Sequence, residues 1–232
     1  MKKLILIFLI TAIPFCAATS GVGFAGAGGF SFYLWKPDLG PINDELRGLG
    51  MPELHDVAFL YGGQGFAHVS DRFRIGGMGF GGSTHVKDFK DGYAREASFH
   101  ISWGGFLMEY ILYEPGYFEF YGGGTIGWGS VSINLQKSSG PVNWDEIWNS
   151  YEPIASDTEN ISSKLEHSFF MLQPRLGVRY YLLDWLAISG SVDVPLVNLS
   201  SGGWSLNGDD VYDAPSLNLI QPFFQFSILA GG

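Results

Sequence analysis

Three groups of residues have the types and spacing to do chemistry. The sharpest is His100-Ile101-Ser102. Residues two apart on a strand share a face, so the imidazole and hydroxyl would stand side by side, as a base and the nucleophile it activates must. The competing reading is a histidine satisfied inside a polar interior. The second group is Asn207, Asp209, Asp210 and Asp213, whose oxygens suit calcium but whose spacing is not that of an EF-hand loop, so no metal site is assigned. The third is aromatic and acidic. Trp144, Trp148 and Tyr151 stand among Asp145, Glu146, Glu152, Asp157 and Glu159 in 137–166, and Trp204 joins Asp209, Asp210, Tyr212 and Asp213 in 200–214. Aromatics on long acidic loops suit contact with an extracellular ligand or surface partner. Gly21-Val22-Gly23-Phe24-Ala25-Gly26 spells G-x-G-x-x-G, but in strand-like text rather than between a strand and a helix, so no nucleotide site and no cofactor is expected.

The ends and composition bound where these groups can act. Residues 1–20 read as a secretory signal: Lys2 and Lys3, an apolar run from Leu4 to Phe15, then small residues with two candidate cleavage points. Cys16 raises lipidation, although Phe15 before it fits a lipobox poorly. Residues 21–232 then form one domain. Lys2 and Lys3 are two of the 13 basic residues, which leaves 11 against 23 acidic ones. That balance argues against nucleic acid as a partner. Glycine, at 33 residues, and aromatics, at 16%, are abundant, while charge at 16% is scarce, and no segment after the signal is apolar for long enough to cross a bilayer as a helix.

The elements that must position the three groups are strands. From Phe170 to Leu182, one face carries Phe170, Leu172, Pro174, Leu176, Val178, Tyr180 and Leu182; the other carries Met171, Gln173, Arg175, Gly177, Arg179 and Tyr181. Ile188, Val192, Val194 and Leu196 likewise oppose Ser189, Ser191 and Asp193. Eight strands are predicted, near 21–35, 55–69, 72–83, 94–113, 117–136, 167–183, 186–199 and 215–230. The gaps between them alternate between tight turns and longer loops, as in a closed antiparallel up-and-down transmembrane β-barrel with its termini on the short-turn side. An eight-stranded barrel is narrow enough for side chains to fill, so Arg175, Arg179, Glu119 and Asp193 are expected to meet as an ion-pair network in the lumen. His100 and Ser102 oppose Phe99, Ile101 and Trp103 and are expected to face that lumen too. In the first long loop, 41–50 reads as a short helix with Ile42, Leu46 and Leu49 on one face, set to fold over the barrel mouth.

With its signal, strand rhythm and alternation, the chain resembles the small eight-stranded outer-membrane barrels of the OmpA and OmpX type over most of residues 21–232. Such barrels often end on an aromatic residue; here Phe224, Phe226 and Ile228 precede Leu229-Ala230-Gly231-Gly232. The resemblance implies a bacterial outer membrane, lipid around the barrel, and a structural or surface-interaction role in the outer loops. The His100 segment also looks like the His-x-Ser arrangement of an outer-membrane lipid A deacylase, which implies a lipid-modifying hydrolase with Glu109 or Glu119 as the third group; Trp103 stands where that family has asparagine. A secreted soluble barrel of the lipocalin kind, holding a small ligand, is the remaining reading.

Overall fold

The computed structural model describes residues 25–140 and 160–232. The signal expected at 1–20, and Trp144, Trp148 and Tyr151, lie outside these residues. Eight strands close into a ring: β1 (Gly26–Trp35), β2 (Ala58–His68), β3 (Phe73–Lys90), β4 (Tyr93–Tyr113), β5 (Phe118–Ser138), β6 (Ile161–Leu183), β7 (Leu186–Asp193) and, last in the chain, β12 (Phe223–Gly231). Each pairs antiparallel with its neighbours in sequence, and β12 pairs with both β7 and β1. Four two- or three-residue pieces, β8 (Asn198–Leu199), β9 (Trp204–Leu206), β10 (Asp209–Asp210) and β11 (Leu217–Asn218), lie between β7 and β12. The expected up-and-down barrel is the observed one.

Its strands fall into two lengths. Those of β1, β2, β7 and β12 have 10, 11, 8 and 9 residues. At about 3.3 Å per residue and a tilt near 40°, ten residues rise about 25 Å, the height of an outer-membrane apolar band. The strands β3 to β6 have 18, 21, 21 and 23 residues and rise far beyond it as a four-stranded wing. The gap expected at 84–93 is thus mostly strand. It shrinks to Asp91-Gly92, both at positive φ (54° and 84°), the left-handed pair that a two-residue hairpin turn demands. At the other end of the pattern, β7 stops at Asp193 because Pro195 has no N–H to extend the ladder.

Inward glycines let the ring close. A Cβ on Gly29 would lie 1.9 Å from the Ile228 carbonyl oxygen, and one on Gly62 1.9 Å from that of Gly79. Strands therefore approach there more closely than any side chain allows.

The lumen is filled in three layers. Ala27, Phe66, Tyr181, Ala187 and Leu229 pack at the short-turn end. A polar layer follows. Above it lies an apolar chamber that includes Trp35, Phe80, Phe99, Trp103, Val131 and Met171. Helix α1 (Gly40–Gly48) lids this chamber with Ile42 and Leu46, and the 194–222 segment adds Val197, Leu199, Trp204, Leu217 and Leu219. The expected docking of this helix is present, with one correction. Leu49 falls one residue past the helix, where the chain turns at Gly50 (φ 67°), and it is 55% exposed. Buried Asn43 ties the return segment, accepting from the Leu54 N–H at 2.9 Å and donating to the Leu54 carbonyl at 3.3 Å. Truncating the 1%-exposed Leu46 to Ala should lower unfolding stability by about 2–4 kcal/mol in a urea titration; an unchanged midpoint would mean that α1 does not dock.

A second tie reaches α1 from the wing tip. Arg95 donates to the Leu49 carbonyl at 2.9 Å and to that of Gly50 at 3.4 Å, and pairs with Asp88 directly across the β3–β4 hairpin. The Arg95 guanidinium holds the Asp88 carboxyl below its ordinary value of 3.8. A depressed carboxylate contributes fully above its unfolded value and loses that contribution as pH falls through the folded one. Hydrogen-exchange protection of α1 should therefore stay level from neutral pH down to about 4 and fall below it, whereas Asp88→Asn should lower it at neutral pH.

Candidate functional site

The polar layer of the lumen is built from inward residues of seven strands. Arg74 comes from β3, Glu109 from β4, Glu119 from β5, Arg175 and Arg179 from β6 and Asp193 from β7, with Gln64 of β2 and Gln225 of β12 completing the circle. All six charged side chains are at most 3% exposed. Glu119 is the centre. It takes both terminal nitrogens of Arg74, accepts from Arg179 at 2.6 Å and accepts the Tyr181 hydroxyl at 2.8 Å. Arg179 reaches on to Glu109 at 3.1 Å, and Glu109 lies 3.3 Å from Arg175. Arg175 Nε is 3.5 Å from Asp193, which also accepts from Gln173 and Ser191, each at 2.6 Å. Around them, Gln64 donates to Ser227, and Gln225 donates to Ser31 and Ser227.

Three arginines face three carboxylates, so the layer is neutral. It is also stacked on aromatic rings. Arg74 and Arg179 lie over Phe66 at 4.7 and 4.4 Å, and Arg179 over Tyr121 at 4.8 Å. An isolated buried charge is very costly, and a paired one breaks even only when its remaining hydrogen-bonding capacity is met. Most of that capacity is met here, while Glu109 Oε1, Arg175 Nε and Arg179 Nε are buried without a hydrogen-bond partner among the described residues.

Arg175, Arg179, Glu119 and Asp193, the four residues expected in the lumen, all stand there. Two members escaped the sequence. Arg74 sits in glycine-rich text (Ile75-Gly76-Gly77) where no alternation shows. Glu109 lies between inward Leu107 and Ile111, and its outward neighbours Met108 and Tyr110 are apolar too, so neither face stands out as polar. The one usable signal was charge balance: two arginines against two acids left no partner for any further ion.

His100 and Ser102 require a correction: both point outward, while Phe99, Ile101 and Trp103 face the interior. The polar face changes sides along β4. Toward the short-turn end its outward residues are Phe106, Tyr110 and Leu112 and its inward ones include Glu109; toward the hairpin at Asp91-Gly92 the outward residues are Ser98, His100 and Ser102 and the inward ones form an apolar core. A polar face thus means lumen at one end and exterior at the other. His100 Nε2 lies 3.1 Å from Ser98 Oγ, while Ser102 pairs with Ser130 Oγ at 3.4 Å. Glu109 and Glu119 are sealed on the opposite side of the strand wall, so neither completes a triad.

Trp204 is also corrected. It is 2% exposed and its indole N–H donates to the Pro215 carbonyl at 3.2 Å, which makes it core; Tyr212 is the exposed aromatic of that loop. Asp209 and Asp210 form the return strand of a small hairpin turned at Asn207-Gly208, where successive side chains diverge. Among the described residues no group of three His, Cys, Asp or Glu is placed to hold a metal.

No protein-family model matches the sequence, and neither does any curated protein. Solved structures do match. Ail, the attachment invasion locus protein of Yersinia pestis in complex with the heparin analogue sucrose octasulfate, is 10% identical over 89% of this chain and 95% of that one, with a TM-score of 0.48. CarO of Acinetobacter baumannii is 8% identical over 92% and 100%, with a TM-score of 0.43. The outer membrane protease OmpT of Escherichia coli is 9% identical over 92% and 98%, with a TM-score of 0.34. The neighbours are outer-membrane β-barrel proteins; the fold of this chain rests on its own closed ladder.

Replacing Glu119 with Gln leaves two arginines sharing a neutral amide. It should cost about 3–5 kcal/mol of unfolding stability, measured by urea titration in vesicles; a cost below about 1 kcal/mol would show that Glu119 is not the centre.

Proposed function

We propose that this chain is a bacterial outer-membrane protein with a lumen closed to solutes, acting as a structural or surface-contact element through the wing and loops that rise out of the bilayer. The observation that carries this is the outward face. Phe30, Phe32 and Leu34 of β1, Leu172 and Leu176 of β6, and Phe224, Phe226 and Ile228 of β12 all point away from the interior and are 44–64% exposed. An aromatic girdle edges each end of this belt, with Tyr113, Tyr117 and Trp185 at the short turns and Phe59, Tyr61 and Trp128 at the far side. Two aromatic girdles around an apolar band are what a bilayer selects. A soluble barrel would leave so much contiguous apolar surface in water at the risk of aggregation. The export signal read at 1–20 agrees with this location, and the acidic balance of the chain suits exposed loops more than any nucleic-acid partner.

The closed lumen sets the second half of the reading. Apolar layers lie on both sides of a layer in which three arginines face three carboxylates, all almost fully buried. Expressed with its leader in a bacterium that has two membranes, the protein should fractionate with the outer membrane and run faster on a gel unheated than boiled. In planar bilayers it should give no steady conductance above that of lipid alone. Solubility without detergent would overturn the membrane location, and a stable open channel would overturn the closed lumen.

A further inference from the structure

The outer faces of β3, β4 and β5 carry a polar hollow at the upper edge of the belt. Ser83, His100 and Ser132 stand opposite one another in one cross-strand row, and Gly81, Ser102 and Ser130 in the next. With Tyr61 at its margin, this surface forms a hollow of about 310 Å³, and among the described residues no Lys, Arg, Asp or Glu lines it. The nearest ions in the same rows are already matched: Glu166, beside Ser132, pairs with Lys164 at 2.6 Å.

Below the hollow the outward positions are bare. Gly63 faces Gly79, which faces Gly104, and Gly65 faces Gly77. A Cβ on Gly63 or Gly104 would stand 3.0 or 3.2 Å from a backbone oxygen, but the barrel does not require the outward glycines of β3 as it requires Gly29 and Gly62. A Cβ added at Gly77, Gly79 or Gly81 would come no nearer than 3.5–3.6 Å to any atom, an ordinary contact. The result is a trough walled by Phe106, Tyr61 and Trp128 that opens upward into the hollow.

We propose that the hollow binds the headgroup of one saccharide-headed lipid of the outer leaflet, with an acyl chain lying in the trough. The inference rests on the outer-membrane reading above. Serine hydroxyls and one imidazole, with no unmatched charge, pair with the hydroxyls of a sugar; a bare phosphate would call for cations. The exposed ring of Tyr61 offers the apolar face against which a pyranose packs. The apolar continuation selects a lipid over a free sugar, and the edge of the aromatic girdle is headgroup depth.

The full chain would be reconstituted in nanodiscs of phosphatidylethanolamine with a minority of an uncharged glycosyl diacylglycerol, and the lipids that survive gentle delipidation counted by native mass spectrometry. One glycolipid per barrel should be retained in about tenfold preference to phosphatidylethanolamine, equivalent to about 1.4 kcal/mol. The pair Ser102→Leu and Ser132→Leu should abolish that preference by removing the hydroxyls. Gly79→Val should do so by filling the trough while leaving heat-modifiable mobility unchanged. Equal retention in wild type and variants, or equal retention of the two lipids, would overturn the site with the membrane location intact. A chain that never enters the nanodisc would overturn the location instead.

Discussion

Glu119 holds Arg74, Arg179 and the Tyr181 hydroxyl at once, and the interior of the barrel is arranged around that contact. A closed ring of eight strands leaves a lumen too narrow for bulk water, so any ion placed there must be matched by another. Four strands supply one charge each, Arg74 from β3, Glu109 from β4, Glu119 from β5 and Asp193 from β7, and β6 supplies two arginines four residues apart on one face. Once Glu119 fixes Arg179, the remaining carboxylate of Glu109 and the Asp193 side chain fall within reach of Arg175. The charges therefore join strands far apart in sequence, and they do so without a net field through the wall.

The same closure explains the distribution of glycine. Positions such as Gly29 and Gly62 are bare because a neighbouring carbonyl occupies the space of a Cβ. The outward glycines of β3 are bare with room to spare, so packing of the barrel does not explain them. Separating the two kinds is what turns a general glycine richness into a specific surface feature.

Beyond the belt the molecule obeys different rules. There β3 to β6 behave as a sheet in water, polar outside and apolar inside, and α1 with the 194–222 segment supplies the second layer that such a sheet needs. One strand thus belongs to two solvents. Its pattern inverts near Gly104, where outward Phe106 gives way to outward Ser102.

That inversion marks what could be read from the sequence and what could not. Alternation determined the faces of Phe170–Leu182, of Ile188–Val192 and of Phe224–Ile228, because a strand's period of two is local geometry and those segments lie wholly within one environment. The tight turns at Asp71, Pro115 and Asp184, and the helix carrying Ile42 and Leu46, were equally local. Register was not: Arg74 and Glu109 enter the ion layer only because strands distant in sequence are aligned at particular offsets. Nor could local text say on which side of β4 the water lay. His100 and Ser102 share a polar face in the sequence, and only the packing of Phe99, Ile101 and Trp103 into the core of the folded barrel decides that this face looks out.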